Sequence, residues 1–207
     1  VSLACRTLIA CTALLLPAGL ALAGGDANLG QAKADSERCL ECHSPDPHDG
    51  PVSGPEARFA KLTGQVPDYM LKQIRDFRSG ARKHDFMAMM ARSLDDADAA
   101  DIAAFFAGRP AMAGSGGDNA LGRRLYAEGD ASRGIAACIA CHGEGGKGRG
   151  IAGVPVIGGQ QWRYLDQQLR AWRSGERRNS PGGTMNAATR ALTDTEIEAL
   201  AGYLAAQ

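Results

Sequence analysis

The stretch Cys39-Leu40-Glu41-Cys42-His43 recurs 99 positions later as Cys138-Ile139-Ala140-Cys141-His142. Two cysteines three positions apart on one helical turn can both reach the edge of a single porphyrin and form thioethers with its vinyl groups. The histidine that follows lies on the same helical face as the first cysteine and can reach the iron. This spacing is the attachment signature of c-type haem, and in a chain of 207 residues with only 6 Cys and 4 His a second copy is not an accident of composition. A closed zinc site would need four ligands, usually as two pairs. Each half offers two Cys and one His; His48 or His84 could complete the first set, but the second half has no spare His. A thioredoxin-type dithiol needs a βαβ setting, and no run of strands is present. The chain is therefore expected to bind two haem c groups covalently through Cys39, Cys42, Cys138 and Cys141, with His43 and His142 on the irons.

Upstream of the first motif, residues 1–23 hold one charge, Arg6, then an apolar run from Leu8 to Leu22, with Ala21-Leu22-Ala23 as a small-x-small cleavage site before Gly24. This pattern predicts a secretory signal peptide over 1–23. The run is too short and too soon followed by polar sequence for a convincing membrane span. Leu8-Ile9-Ala10-Cys11 loosely resembles a lipoprotein site but has too little apolar sequence before it. Cleavage would remove Cys5 and Cys11 and leave four cysteines, all inside the two motifs. Haem is joined to thiols outside the bacterial cytoplasm, so export and motif support one another, and the protein is expected in the periplasm, at most peripherally associated with a membrane.

Between the motifs, Pro110 to Asp118 reads as a flexible linker by composition, giving domains over 24–109 and 119–207. The halves repeat one another. Gly64-Gln65, Tyr69, Gln73 and Arg78-Ser79-Gly80 correspond to Gly159-Gln160, Tyr164, Gln168 and Arg173-Ser174-Gly175 at an offset of 95, and Met87 and Leu94 correspond to Met185 and Leu192 at 98. The periodicity is helical throughout. Met70, Ile74 and Phe77 form an apolar stripe closed by Gly80; Leu165, Leu169 and Trp172 repeat it, closed by Gly175. Asp95 with Asp98 opens a last helix in the first half, carrying Ile102, Phe105 and Phe106. Thr193 with Glu196 reads as a capping box for its counterpart, carrying Ile197, Leu200 and Leu204. Short helices over 28–38 and 121–128 precede the motifs. With aromatic residues at only 5%, a macrocycle must supply much of the core volume, so the apo chain is expected to be largely unfolded.

Each iron needs a second ligand from later sequence. Thioether sulfur opposite histidine is the arrangement that raises the potential of an electron carrier. Met185 is the only methionine after the second motif. Met87 holds the same place by the repeat, and Met89, Met90 and His84 are its competitors. His48 is too close to His43 to cross to the far face.

These marks resemble the di-haem cytochrome c4 family over 24–207. They include the tandem motifs, Phe59-Ala60-Lys61-Leu62-Thr63-Gly64-Gln65 with Tyr69-Met70-Leu71-Lys72-Gln73, and Val154-Pro155-Val156-Ile157-Gly158-Gly159-Gln160 with Tyr164. They also include Leu94-Asp95-Asp96 and Leu192-Thr193-Asp194 after the candidate methionines. The resemblance implies an all-α protein of two tandem class I cytochrome c domains, packed with haem propionate edges meeting between them. It also implies electron transfer from a quinol-oxidising complex towards a terminal oxidase. In such folds a proline carbonyl commonly accepts the proximal histidine's ring proton. Pro155 stands at that position for His142, whereas Ala60 stands there for His43, after a longer segment, 44–58, that contains Pro45, Pro47, Pro51 and Pro55.

Residues 24–113 carry 11 basic and 14 acidic residues, and residues 114–207 carry 11 and 9. That uneven balance could orient the molecule towards charged redox partners, with Arg177 and Arg178 expected as surface charges of the basic half. No basic stripe with interleaved aromatics points to nucleic acid. The leading expectation is a monomeric shuttle of single electrons between a respiratory donor, a quinol-oxidising complex or dehydrogenase, and a terminal oxidase or reductase. The alternative is the electron-accepting subunit of a periplasmic dehydrogenase. Two saturated irons and no grouped nucleophile argue against a haem enzyme, and no catalytic residue is expected.

Overall fold

The computed structural model describes residues 24–44, 46 and 59–207. The expected signal peptide, His48 and the prolines of the 44–58 segment lie outside the described residues. Those described form helices joined by turns, and the only β pairing among them is an isolated antiparallel bridge between Asp130 and Ile135.

In the first half, α1 (Ala27–Ser36), α2 (Pro67–Ser79), α3 (Asp85–Ser93) and α4 (Asp96–Ala107) surround the first motif. In the second, α5 (Ala120–Glu128), α6 (Ile139–His142), α7 (Trp162–Ser174), α8 (Thr184–Thr189) and α9 (Asp194–Ala205) surround the other. The ends are set locally. Asp95 accepts from the Asp98 amide at 2.7 Å to cap α4, and Thr193 with Glu196 completes the capping box on α9. Gly80 and Gly175, at φ of 80° and 77°, end α2 and α7 in the left-handed conformation that glycine adopts without a Cβ penalty.

The first and last helices of each half cross at a glycine. A Cβ on Gly30 of α1 would lie 1.9 Å from the Asp101 carbonyl oxygen of α4, and one on Gly122 of α5 would lie 2.1 Å from that of Ala199 on α9. Only glycine lets these backbones approach so closely. Each crossing supports its own core: Met70, Leu94, Ile102, Phe105 and Phe106 in one half, and Leu125, Tyr126, Leu165, Ile197, Leu200 and Leu204 in the other.

The halves meet through a pseudo-two-fold clamp at the offset of 95. The Gln160 side chain accepts from the Lys61 amide at 2.8 Å and donates to the Lys61 carbonyl at 2.9 Å. Gln65 does the same to the amide and carbonyl of Val156, at 2.8 Å in both directions. Residues between the halves are tied to this junction. Met112 is buried and receives a hydrogen bond from Gln160 on its sulfur, and the Ala113 carbonyl accepts from Lys61 Nζ at 2.9 Å. The Gly114 and Ser115 amides donate to the carbonyls of Gln207 and Ala205. Composition suggested a loose coil here. Burial of one methionine and satisfaction of successive backbone groups instead pack residues 112–115 against both halves.

Candidate haem-binding site

Both motifs wind into a single turn, as their spacing requires. The His43 amide donates to the Cys39 carbonyl at 2.8 Å and the His142 amide to that of Cys138 at 3.0 Å. The first turn starts from Arg38, which at φ 59° is the one non-glycine residue with positive φ among those described. That conformation costs about 1 kcal/mol or more for a residue with a Cβ. The Arg38 guanidinium donates to both carboxylate oxygens of Glu41, at 2.6 and 2.8 Å. None of Cys39, Cys42, Cys138 and Cys141 is in a disulfide. Burial pushes the thiols of Cys39 and Cys138 up to about 11, so both are protonated at neutral pH.

The two motif histidines are held in the same way. His43 Nδ1–H donates to the Ala60 carbonyl at 2.7 Å, and His142 Nδ1–H donates to the Pro155 carbonyl at 3.0 Å. Each bond fixes the ring and leaves Nε2, with its lone pair, free to ligate a metal. Burial lowers both histidines' pKa, opposed by the bonds to Ala60 and Pro155, so the imidazoles stay neutral and fit to bind a metal. The Ala60 carbonyl thus serves as well geometrically as that of Pro155.

One continuous cavity of ≈ 1060 Å³ runs through both halves, at the upper end of the usual range for small-molecule sites. Its wall holds all four motif cysteines and both proximal histidines, together with Met87 on α3 and Met185 on α8. Met89, Met90 and His84 also reach it. Met89 is 53% exposed, whereas Met87 and Met90 are half-buried. His84 is otherwise engaged, since its Nδ1 accepts from the Met87 amide at 3.2 Å, capping α3, and its ring stands edge-on to Phe77. In the second half Ser180 Oγ accepts from the Met185 amide at 3.1 Å. A largely apolar cavity bounded by paired thiols, a neutral oriented imidazole and a thioether in each half fits a covalently held porphyrin on each side.

Sequence reasoning marked Tyr69, Gln73, Tyr164 and Gln168 as repeated but missed Arg82 and the place where all of them meet. Arg82, Tyr69 and Gln73 of the first half and Arg177, Tyr164 and Gln168 of the second correspond at the offset of 95 and all line the cavity. Arg177 was expected on the surface. It is instead 8% exposed, its guanidinium 4.2 Å from the Trp172 ring centroid, because the turn after Gly175 folds it back between the halves. Arg178 is exposed as expected. The available signal was the repeat itself: two arginines in register among repeated tyrosines and glutamines are more constrained than solvated charges need to be.

The comparisons agree with this geometry. The cytochrome c family model matches residues 120–207. Cytochrome c4 of Pseudomonas aeruginosa is 38% identical over 190 residues, covering 90% of this chain and 90% of that protein. A thiosulfate dehydrogenase electron acceptor of Thiomonas intermedia is 35% identical, covering 85% of this chain and 81% of that one. The crystal structure of reduced recombinant cytochrome c4 from Pseudomonas stutzeri superposes with a TM-score of 0.78 at 34% identity, over 88% of this chain and 98% of the other.

Proposed function

The chain belongs to the cytochrome c4 family and is a di-haem electron-transfer protein; from that premise we propose that His43 with Met87 and His142 with Met185 ligate its two irons, with Cys39, Cys42, Cys138 and Cys141 forming the thioethers. The observation that carries the ligand assignment is one cavity wall shared, in each half, by a carbonyl-anchored histidine and a methionine at the same place in the repeat. The bound haem supplies a one-electron couple at its iron. The protein's part is to hold Nε2 of each histidine in place, to exclude water with the apolar wall and to keep the two sites in one rigid unit through the Gln65 and Gln160 clamps. A thioether ligand favours the reduced iron and a high potential.

The oxidised protein should therefore show the weak far-red sulfur-to-iron charge-transfer band at an intensity for two haems. Met185→Ala should remove about half of it and Met87→Ala the rest. If Met87→Ala leaves the band intact while Met90→Ala or Met89→Ala halves it, the assignment in the first half is wrong.

The same reading gives residues 24–109 and 119–207 as domains, 110–118 as their connection and 1–23 as a signal peptide directing the chain to the periplasm. There it would act as a monomeric shuttle between a quinol-oxidising complex or dehydrogenase and a terminal oxidase or reductase, with no catalytic residue of its own. Among the described residues no helix is long and apolar enough to cross a membrane. The relative named as a thiosulfate dehydrogenase electron acceptor supports a second reading, in which this chain accepts electrons as the subunit of a periplasmic dehydrogenase. Purification of the native protein separates the two: a free shuttle elutes alone, whereas a subunit carries its dehydrogenase with it.

A further inference from the structure

Arg177 is buried and Arg82 half-buried between the pockets, and neither has a carboxylate hydrogen-bond partner. Arg82 donates from Nη1 to Gln73 Oε1 at 3.0 Å and from Nη2 to Tyr164 Oη at 3.0 Å and Gln168 Oε1 at 2.9 Å. Arg177 donates from Nη1 to Gln168 Oε1 at 2.6 Å, and from Nη2 to Tyr69 Oη at 3.2 Å and Gln73 Oε1 at 3.0 Å. Its Nε donates to Asn179 Oδ1 at 2.9 Å. Each guanidinium thus grips its own half and the opposite one, and the two share both glutamine oxygens. Asp76, whose charge acts on Arg82 without a hydrogen bond to it, is engaged by Lys72 and by the Asn179 side-chain amide. Burying a guanidinium among neutral acceptors is unfavourable, and placing two of them on the same oxygens adds repulsion. Both side chains line the cavity that holds the motif cysteines. The anions that a c-type haem brings to such a place are its propionates.

We propose that Arg82 and Arg177 form a crossed pair of cations that binds the haem propionates at the junction and sets the two reduction potentials together. The pair presupposes the two-haem reading above. An iron porphyrin carries one less positive charge when reduced, so nearby fixed cations favour the reduced state, and their loss lowers the potential. Because each arginine is bonded to both halves, losing either one is felt at both irons. A clamp that merely held the halves together would leave the potentials where they are.

The test is an optical redox titration of the purified holoprotein carrying Arg82→Gln or Arg177→Gln. Mass spectrometry must first show two haems, and the far-red band must be retained; absence of either counts against the haem reading and not against the arginine pair. In each single variant both potentials should fall, by about tenfold in the reduced-to-oxidised ratio at fixed applied potential, which is about 59 mV for a one-electron couple. Arg82→Lys and Arg177→Lys, which keep the charge but not the fork, should recover most of the shift at neutral pH. Loaded variants whose potentials are unchanged would overturn the proposal, and a shift confined to the haem of the mutated half would overturn its crossed character. Should the Gln variants fail to fold, the Lys variants decide. Their potentials should step downwards as pH rises through the pKa of the buried amine, a step absent from the parent protein, and a flat profile rejects the pair.

Discussion

The first and second halves are alike where they pack and unlike where they face solvent beside the haem pocket. Both cross their terminal helices at a glycine, both tie the proximal histidine to a backbone carbonyl, and both lend a glutamine to the clamp. Near the candidate methionines the likeness stops. The first half exposes Phe86 and Met89, each at 53%, where the repeat places Thr184 and Ala187 in the second. His84 caps α3 in the first half, and Ser180 accepts from the Met185 amide in the second. The first motif turn begins from a left-handed Arg38, and the first half carries the net negative charge. Shared features answer the common demand of closing a small fold around a porphyrin. The divergent ones are not required by that demand.

The most severe way to probe this likeness is to add one methyl group at each helix crossing. At Gly122 the new Cβ would meet the Ala199 carbonyl oxygen at 2.1 Å and the Tyr203 Cβ at 2.8 Å; at Gly30 it would meet the Asp101 carbonyl at 1.9 Å. The obstacle is backbone, so the helices must move apart. Gly30→Ala and Gly122→Ala should each destabilise the holoprotein by about 3 kcal/mol, the upper part of the range for overpacking, read from guanidinium unfolding. Near-equal losses would support one architecture used twice. A tolerated Gly30→Ala would show that α1 is docked less tightly than α5.

A smaller, pH-dependent effect should come from an ion-pair network of the second half. In the second half Arg133 joins Asp130, at 2.7 Å, to Glu196, the capping-box residue of α9. Hydrogen bonds from Ser132 and Arg133 lower Asp130 to about 2, and the Arg133 side chain lowers Glu196. A carboxyl depressed on folding contributes stability that is complete above its unfolded pKa, near 4, and is lost as pH falls through its folded value. The holoprotein should therefore lose melting temperature between about pH 4 and pH 2. Arg133→Gln should melt lower at pH 7 and show a shallower decline over that window, meeting the parent near pH 2. Parallel curves would show that this network contributes nothing to the pH dependence.

What the sequence disclosed, and what it withheld, follows from range. The motif turns, the glycine stops at 80 and 175, the Asp95 cap and the Thr193–Glu196 box are decided within a few residues, and they were legible. So was the duplication, because identical side chains recur at fixed offsets. The use made of the repeated residues was not legible. Gln65 and Gln160 stand out in the repeat, but that each grips the backbone of the opposite half depends on how two domains dock. Arg177 looked like a surface charge because only the docked partner buries it. Gly30 and Gly122 carry no local signal beyond their cost inside a helix; the reason for them lies 71 and 77 residues away, at Asp101 on α4 and Ala199 on α9. Pro110–Asp118 has the composition of a coil, and only the junction it crosses packs residues 112–115.

The finest contrast is that between Ala60 and Pro155, whose carbonyls accept from His43 and His142. The bond to Ala60, at 2.7 Å, is no longer than the 3.0 Å bond to Pro155, so the proline is not needed for the geometry of the folded state. Its ring acts on the unfolded chain, which has fewer backbone conformations to lose when φ is already fixed. Pro155→Ala should accordingly cost about 0.4–1 kcal/mol of stability and leave the absorption spectrum and both potentials unchanged, making the second half resemble the first in this respect. A shift of the second haem's potential in that variant would mean that backbone rigidity at residue 155 orients His142 in the folded protein. The absence of proline at residue 60 would then be a difference in tuning between the two haems and not one of folding entropy alone.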